Sequence, residues 1–195
     1  MKIVKKDIQN NIMSREPKVA NVFFIAIDGH GGSGKSTLAQ YLSVKLGAEI
    51  VHTDDFASWD NPLNWWPLII QHVFDDIKSG VNKLSYERSK WSKDHHPDPV
   101  VDQPVTDIMI LEGVSSMRTE FSQYISLNIF VDTPREVCLK RGIDRDFKTG
   151  KTKKELIKIW NEWFNEEDDY MARDNPKKRA DIIIDGTQSF ESQLT

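Results

Sequence analysis

Five short apolar runs punctuate the chain: "VFFIAI" (22–27), "EIVHT" (49–53), "DIMILEG" (107–113), "LNIFVD" (127–132) and "ADIIID" (180–185). Continuous runs of this length predict strands covered on both faces, since a strand with one wet face alternates instead. Between them the period lengthens. Leu38, Leu42 and Leu46 recur every fourth residue over 35–46, and Gly47 follows as a stop signal. Trp66, Ile69, Ile70, Val73 and Ile77 form one stripe over 64–79, closed by Gly80. "TPRE" (133–136) reads as a capping box, with Thr133 as N-cap, Pro134 at the first helical position and Glu136 reaching back. Leu156, Ile159, Trp160, Trp163 and Phe164 share a face over 153–171. Strands alternating with helices predict an α/β fold, a five-stranded and mostly parallel sheet flanked by helices.

Two stretches fall outside this rhythm. Residues 1–20 read as a polar N-terminal arm with a short helix around Ile8 and Ile12, leaving 21–195 as one domain. Residues 81–105 are rich in Pro and Asp and show little periodicity, and a long irregular segment in a compact domain is either functional or disordered; the substrate side is expected at about 55–105. The 195 residues suit one domain, or one domain with a lid insertion. Lys and Arg number 26 against 30 Asp and Glu, a net charge of -4 that disfavours a general grip on nucleic acid. One cysteine, Cys138, excludes an internal disulfide and fits a reducing compartment. No run approaches the roughly 20 apolar residues of a membrane span, and no signal-peptide core stands near the start. The expectation is a cytoplasmic protein without membrane or nucleic-acid partners.

Chemistry concentrates first in "IDGHGGSGKST" (27–37). Gly29, His30, Gly31, Gly32, Ser33, Gly34, Lys35 and Ser36 satisfy G-x-x-x-x-G-K-[ST], after a buried strand and before a helix. The glycines let successive N–H groups of the backbone point inward at phosphate oxygens, and the helix N-terminus adds partial positive charge. Lys35 reaches the β- and γ-phosphates, Ser36 binds Mg²⁺, and Thr37 continues the cradle. The stretch predicts an ATP site.

Three further features select a kinase among nucleotide-binding proteins. "HTDDF" (52–56) puts Asp54 and Asp55 at the carboxyl end of the second strand, where ligands bind in open parallel sheets. A carboxylate there accepts a proton from a hydroxyl attacking the γ-phosphate, and the residues alone leave open which of the two does so. "MILEG" (109–113) ends a buried strand on Glu112, an acid placed for the Mg²⁺ shell; without such work its desolvation is costly. "LKRGIDRDFKTGKTKKE" (139–155) is dense in cations, and Arg141 and Arg145 share a helical face. A segment of about 141–154 is expected to close over the triphosphate as a helical lid.

Together, "IDGHGGSGKST", "HTDDF", "ILEG", "KRGIDRD" and "RADIIIDG" resemble the uridine kinase group of P-loop kinases, whose relatives include phosphoribulokinase and bacterial pantothenate kinase. The resemblance spans about 22–186 and implies a P-loop NTPase fold with a helical lid. It also implies transfer of the ATP γ-phosphate to a hydroxyl of a small molecule. It places the family's base on Asp54, its lid arginines on Arg141 and Arg145, and the neighbourhood of the adenine ring on Gly186. Tyr86 matches a family tyrosine that contacts nucleoside, whereas Trp91 stands where a histidine would be. The kinase chemistry therefore transfers further than the nucleoside preference.

Trp59, Trp65 and Trp66 follow the acidic pair and are candidates for an aromatic substrate wall. Trp160 and Trp163 are expected in the core. Arg118 is a candidate substrate contact or a surface residue. His95 and His96 lack the companions of a metal site. Other acceptors remain open at this point: pantothenate, a sugar or a nucleoside monophosphate. So does a regulatory ATPase, although no N-K-x-D base motif of GTP switches occurs.

Overall fold

The computed structural model describes residues 7–58, 61, 63–89 and 99–194. All six residues of strand β1 (Phe23–Asp28) are buried, and β1 is the middle strand of a five-stranded sheet. Its neighbours are β5 (Ile108–Glu112) on one side and β6 (Leu127–Asp132) on the other; β2 (Glu49–His52) and β7 (Ile182–Asp185) form the edges. The order is β2-β5-β1-β6-β7, and every pairing is parallel. Side chains alternate across β1. Phe24 and Ala26 join Met109, Leu111, Phe74 and Phe121 on one face, while Phe23, Ile25 and Ile27 join Leu38, Leu42 and Ile129 on the other. The sequence expectation of a P-loop α/β fold describes this architecture.

Helix α1 (Ile8–Met13) is docked rather than free. Ile8 is buried in the second core, Arg15 pairs with Asp181 at 2.9 Å, and the Lys18 ammonium donates to the Ser122 carbonyl at 3.1 Å. Helix α2 (Lys35–Leu46) keeps its predicted ends and stops at Gly47. The next helical segment, α3 (66–78), has a π-helical stretch at Ile70–Asp75 between two α-helical pieces, and there both Val73 and Phe74 turn inward. Helices α4 (Arg135–Asp146) and α5 (Lys153–Asp174) form a hairpin with its own small core of Cys138, Ile143, Leu156, Trp160 and Phe164. Burial raises the Cys138 thiol to about 11, so it stays protonated.

Two local expectations are corrected. The segment 81–105 is not irregular at its ends: β3 (Lys83–Glu87) and β4 (Val100–Pro104) pair antiparallel as a separate ribbon. The alternation that seats Leu84 and Tyr86 inward was legible but short. Thr133 does not cap α4, because its hydroxyl donates to the Ser33 carbonyl at 2.9 Å, so α4 opens at Arg135 with no side-chain cap. The capping box belongs to α5, where Thr152 and Glu155 exchange hydrogen bonds.

Asp28 ties these layers together. Fully buried at the end of β1, it accepts from the amides of Gly29, Ser115 and Met117 and from the Tyr170 hydroxyl at 2.6 Å. Burial pushes its carboxyl above the ordinary range, while the converging donors favour the anion. Asp28→Ala strands every one of these donors, so it is expected to destabilise the chain by about 3 kcal/mol or more. Denaturant unfolding measures this; a loss under about 1 kcal/mol would mean that water replaces the carboxylate.

Candidate active site

The site is built where β1, β2 and β5 end. The chain leaves β1 into the glycine-rich loop, and α2 starts at Lys35. Gly32 has φ +75°, and a side chain there would run into the Cys138 carbonyl, so only glycine lets α4 pack on the loop. Lys35 is buried, and its ammonium donates to the His30 carbonyl at 2.9 Å. Ser36 and Thr37 face the cleft. Thr133 and Arg141 grip the Ser33 carbonyl from outside, Arg141 at 3.3 Å, and Arg141 also donates to the Gly186 carbonyl at 3.0 Å. Gly186 is thereby packed against the back of the loop.

Glu112 lies at the end of β5, directly beside His52 of β2 in the sheet register. One carboxylate oxygen is 2.7 Å from His52 Nδ1, and the other accepts from the Ser36 hydroxyl at 3.1 Å. Burial opposes the charge on Glu112, but the His52 and Ser36 contacts and the Lys35 charge hold its carboxyl below the ordinary range. The Glu112 carboxylate in turn raises His52 against the opposing effect of burial. A hydroxyl and one carboxylate beside a phosphate loop fit Mg²⁺, which takes few protein oxygens and completes its shell with phosphate and water. Among the described residues, no group of three or more His, Cys, Asp or Glu is gathered to hold a metal unaided.

After His52 the backbone turns as a 3₁₀ helix, Thr53–Asp55, instead of continuing extended. Gly113, with φ +143°, allows Thr53 to lie directly against it, since any side chain there would overlap Thr53. This contact brings the two strand ends together and sets Asp54 into the cleft near Glu112. Enclosure by protein and then the Glu112 charge raise the Asp54 carboxyl, with Lys35, His52 and Arg145 opposing. The carboxylate still reaches solvent through the cleft mouth, which tempers that push. Asp55 points the other way. It is buried, pairs with Arg88 at 2.9 Å and accepts from the Tyr86 hydroxyl at 3.4 Å. Burial beside Asp55 drives the Tyr86 phenol strongly upward.

The cleft encloses ≈ 540 Å³, with the loop, Asp54, Glu112, Arg141 and Arg145 on its walls. Its apolar lining comes from Ala57, Leu63, Val114, Trp160 and Trp163. Several sequence expectations are corrected here. Tyr86, on β3, donates its hydroxyl to Asp55, and neither residue lines the cleft. Trp65 is core, and Trp66 packs half-buried against it. Arg118 is neither a surface residue nor part of the cleft lining: it is buried, and its guanidinium donates to the Leu63 carbonyl, fixing that wall from behind. Trp160 is in the hairpin core as expected, with Trp163 packed against that core, and both also line the cleft from α5. Trp59, Trp91, His95 and His96 lie outside the described residues.

Sequence reasoning missed Glu167, whose carboxylate accepts from the Gly31 amide, and the His52 contact to Glu112. The signal for Glu167 was present: positions 160, 163 and 167 continue one helical stripe, so an acid follows two tryptophans inward.

Comparisons with known proteins bear on the family and the fold. The profile described as "Phosphoribulokinase / Uridine kinase family" matches residues 70–191. The chain belongs to this family. The profile match begins beyond the phosphate loop, so the loop is an independent observation. The chain is 28% identical over 193 residues to a uridine kinase of Mycoplasma genitalium, covering 86% of each chain. It is 29% identical over 152 residues to a uridine kinase of Pasteurella multocida, covering 64% of this chain and 67% of that one. Among solved structures, a possible uridine kinase from Bacillus stearothermophilus superposes with a TM-score of 0.56 at 21% identity, over 84% of this chain and 89% of that one; this likeness concerns the fold. Membership makes the chain a kinase-type enzyme. No helix among the described residues is long and apolar enough to cross a membrane.

Proposed function

We propose that the chain moves the γ-phosphate of ATP to a hydroxyl of a nucleoside. The observation that carries this reading is the convergence of Asp54, Glu112, Lys35 and Ser36 on one cleft with an apolar wall. The acceptor hydroxyl lies against Asp54, which takes its proton as the oxygen bonds to the γ-phosphorus. The bond from that phosphorus to the β–γ bridging oxygen breaks, and ADP leaves with its electron pair. Lys35 and Arg145 neutralise charge on the transferring group, and Arg141 secures the loop from behind. Mg²⁺, held by Ser36 and by Glu112 through water, would offset charge on the β- and γ-phosphates. The α4–α5 hairpin, with the turn at 147–152, excludes water as it closes.

A second reading follows from Tyr86. The tyrosine that matches the nucleoside contact of the family is held under Asp55, away from the cleft, which favours another small hydroxyl acceptor. ADP release measured over ribonucleosides, deoxynucleosides, pantothenate and sugars tests both readings. Stimulation of release by a ribonucleoside is the expected result; stimulation by another acceptor alone selects the second reading. Hydrolysis unaffected by every acceptor would remove both.

A further inference from the structure

Glu112 is held by donors on two different elements, one at each carboxylate oxygen. His52 ends β2 and stands beside Glu112, which ends β5, in the sheet register. Its Nδ1 is 2.7 Å from Glu112 Oε2. An ionised carboxylate only accepts, so Nδ1 carries the hydrogen and donates it. Ser36, in the first turn of α2, donates its hydroxyl to the other oxygen, Oε1, at 3.1 Å. Among the described residues these two are the hydrogen-bond partners of the Glu112 carboxylate. Its side chain is only 7% exposed, so protein donors, not bulk water, set its orientation.

The two donors differ in what they face. Ser36 lines the cleft beside Glu112, Lys35 and Asp54, whereas His52 does not. A hydroxyl has one hydrogen and two lone pairs, so Ser36 can donate to Glu112 and still offer a lone pair to a cation. The imidazole has no such second duty in the cleft. It takes up Oε2, which leaves Oε1 as the oxygen beside Ser36. Remove the imidazole and the buried Oε2 has no donor, while a side chain of several rotatable bonds becomes free to turn. The junction of β2 and β5 keeps the ring in register: Thr53, next in the chain, lies directly against Gly113, where any side chain would overlap it.

We infer that His52 is a positioning residue: it holds Oε2 of Glu112 so that Oε1, beside the Ser36 hydroxyl, is the oxygen offered to the Mg²⁺ shell. This rests on the reading of Ser36 and Glu112 as the Mg²⁺ residues given above. His52 acts through Glu112 and not on the nucleotide, so its removal weakens only the part of nucleotide binding that Mg²⁺ supplies. Hydrogen-bonded partners of this kind behind a metal ligand alter metal affinity by about 10- to 100-fold.

Calorimetric titration of the full chain with a non-hydrolysable ATP analogue, once with Mg²⁺ and once with EDTA in its place, tests this. His52→Ala is expected to bind the analogue about 10-fold more weakly with Mg²⁺ and within about 2-fold of the parent with EDTA. His52→Asn keeps an N–H donor near the place of Nδ1 and is expected to stay within about 3-fold of the parent in both titrations. A merely structural role moves both titrations together and shows no rescue by asparagine, and either result overturns the inference. Glu112→Gln separates this failure from failure of the Mg²⁺ reading itself. If Glu112→Gln loses the gain from Mg²⁺ while His52→Ala keeps it, the inference falls and the reading stands. If Glu112→Gln keeps the gain, or the parent shows none, both fall. Should His52→Ala not fold, His52→Leu fills the space of the ring without a donor and is expected to show the same loss confined to Mg²⁺; an undiminished gain from Mg²⁺ in that variant overturns the proposal.

Discussion

Lys35→Ala lowers phosphoryl transfer by about 1,000-fold, the upper range for removing one preorganised donor to developing charge. The side chain earns this rank through its position. It is buried at the first residue of α2, its ammonium rests on the His30 carbonyl, and its charge is felt by both Asp54 and Glu112. A low-dielectric setting strengthens its attraction for the γ-phosphate relative to the same contact in water. Removal costs twice, because the terminal phosphate loses its counter-charge and the His30–Gly31 peptide loses the group that holds its oxygen. ATP affinity therefore falls together with turnover. Lys35→Arg does not rescue, since a planar fork cannot replace a compact ammonium in a closed loop. Single-turnover transfer with saturating ATP, beside calorimetric titration, separates the two losses. Retention of more than about one-tenth of the parent rate would exclude the lysine from the transition state.

The parts legible in the sequence were those fixed by local chemistry. β6 coincides with the run "LNIFVD", and α2 with the Leu38–Leu42–Leu46 spacing, because a fully buried strand and a capped helix each write a dense pattern. The glycine-rich loop was legible as the turn between β1 and α2 for the same reason: its glycines, Lys35 and Ser36 lie within eight residues. What escaped depends on contacts between segments far apart in the chain. Asp55 was read as a substrate contact because nothing in "HTDDF" announces Arg88, 33 residues later, as its partner. Trp160 and Trp163 were assigned to the core by their apolar stripe, and Trp160 is indeed buried. The stripe cannot show that the hairpin's inner edge is also the wall of the cleft. Thr133 carried a sound capping pattern that lost to a closer partner, the Ser33 carbonyl, supplied by a loop 100 residues earlier. Asp54 was set over Asp55 by the family resemblance alone, because nothing in "HTDDF" announces that the backbone turns there into a 3₁₀ helix. The two carboxylates diverge, because successive residues of a tight helical turn point apart.

That divergence sets up the remaining comparison. Asp54→Asn is expected to lower turnover by about 100- to 10,000-fold, the range for a lost general base, with the low end favoured because a loose phosphoryl-transfer transition state asks little of the base. ATP affinity is expected to stay near that of the parent, since Asp54 lines the cleft and, among the described residues, makes no hydrogen bond to the loop amides. Asp55→Asn acts elsewhere. It breaks a buried ion pair with Arg88 and weakens the Tyr86 hydrogen bond, so it lowers unfolding stability by about 3 kcal/mol, while kcat in the folded fraction stays within about 10-fold of the parent. The pH profile supplies an independent sign. Asp54 acts as the anion, and enclosure together with Glu112 raises its carboxyl above the ordinary 3.8. Its working form is therefore lost at a higher pH than for a free aspartate, and the acid limb of kcat falls above that value. Asp54→Asn removes this limb, whereas Asp55→Asn leaves it in place. Steady-state kinetics of both variants on the best acceptor, from pH 4 to 8, decide the matter. A dead Asp55→Asn beside an active Asp54→Asn, with the acid limb unmoved in the latter, would transfer the proton to the wrong side of the turn and exclude Asp54 as the base.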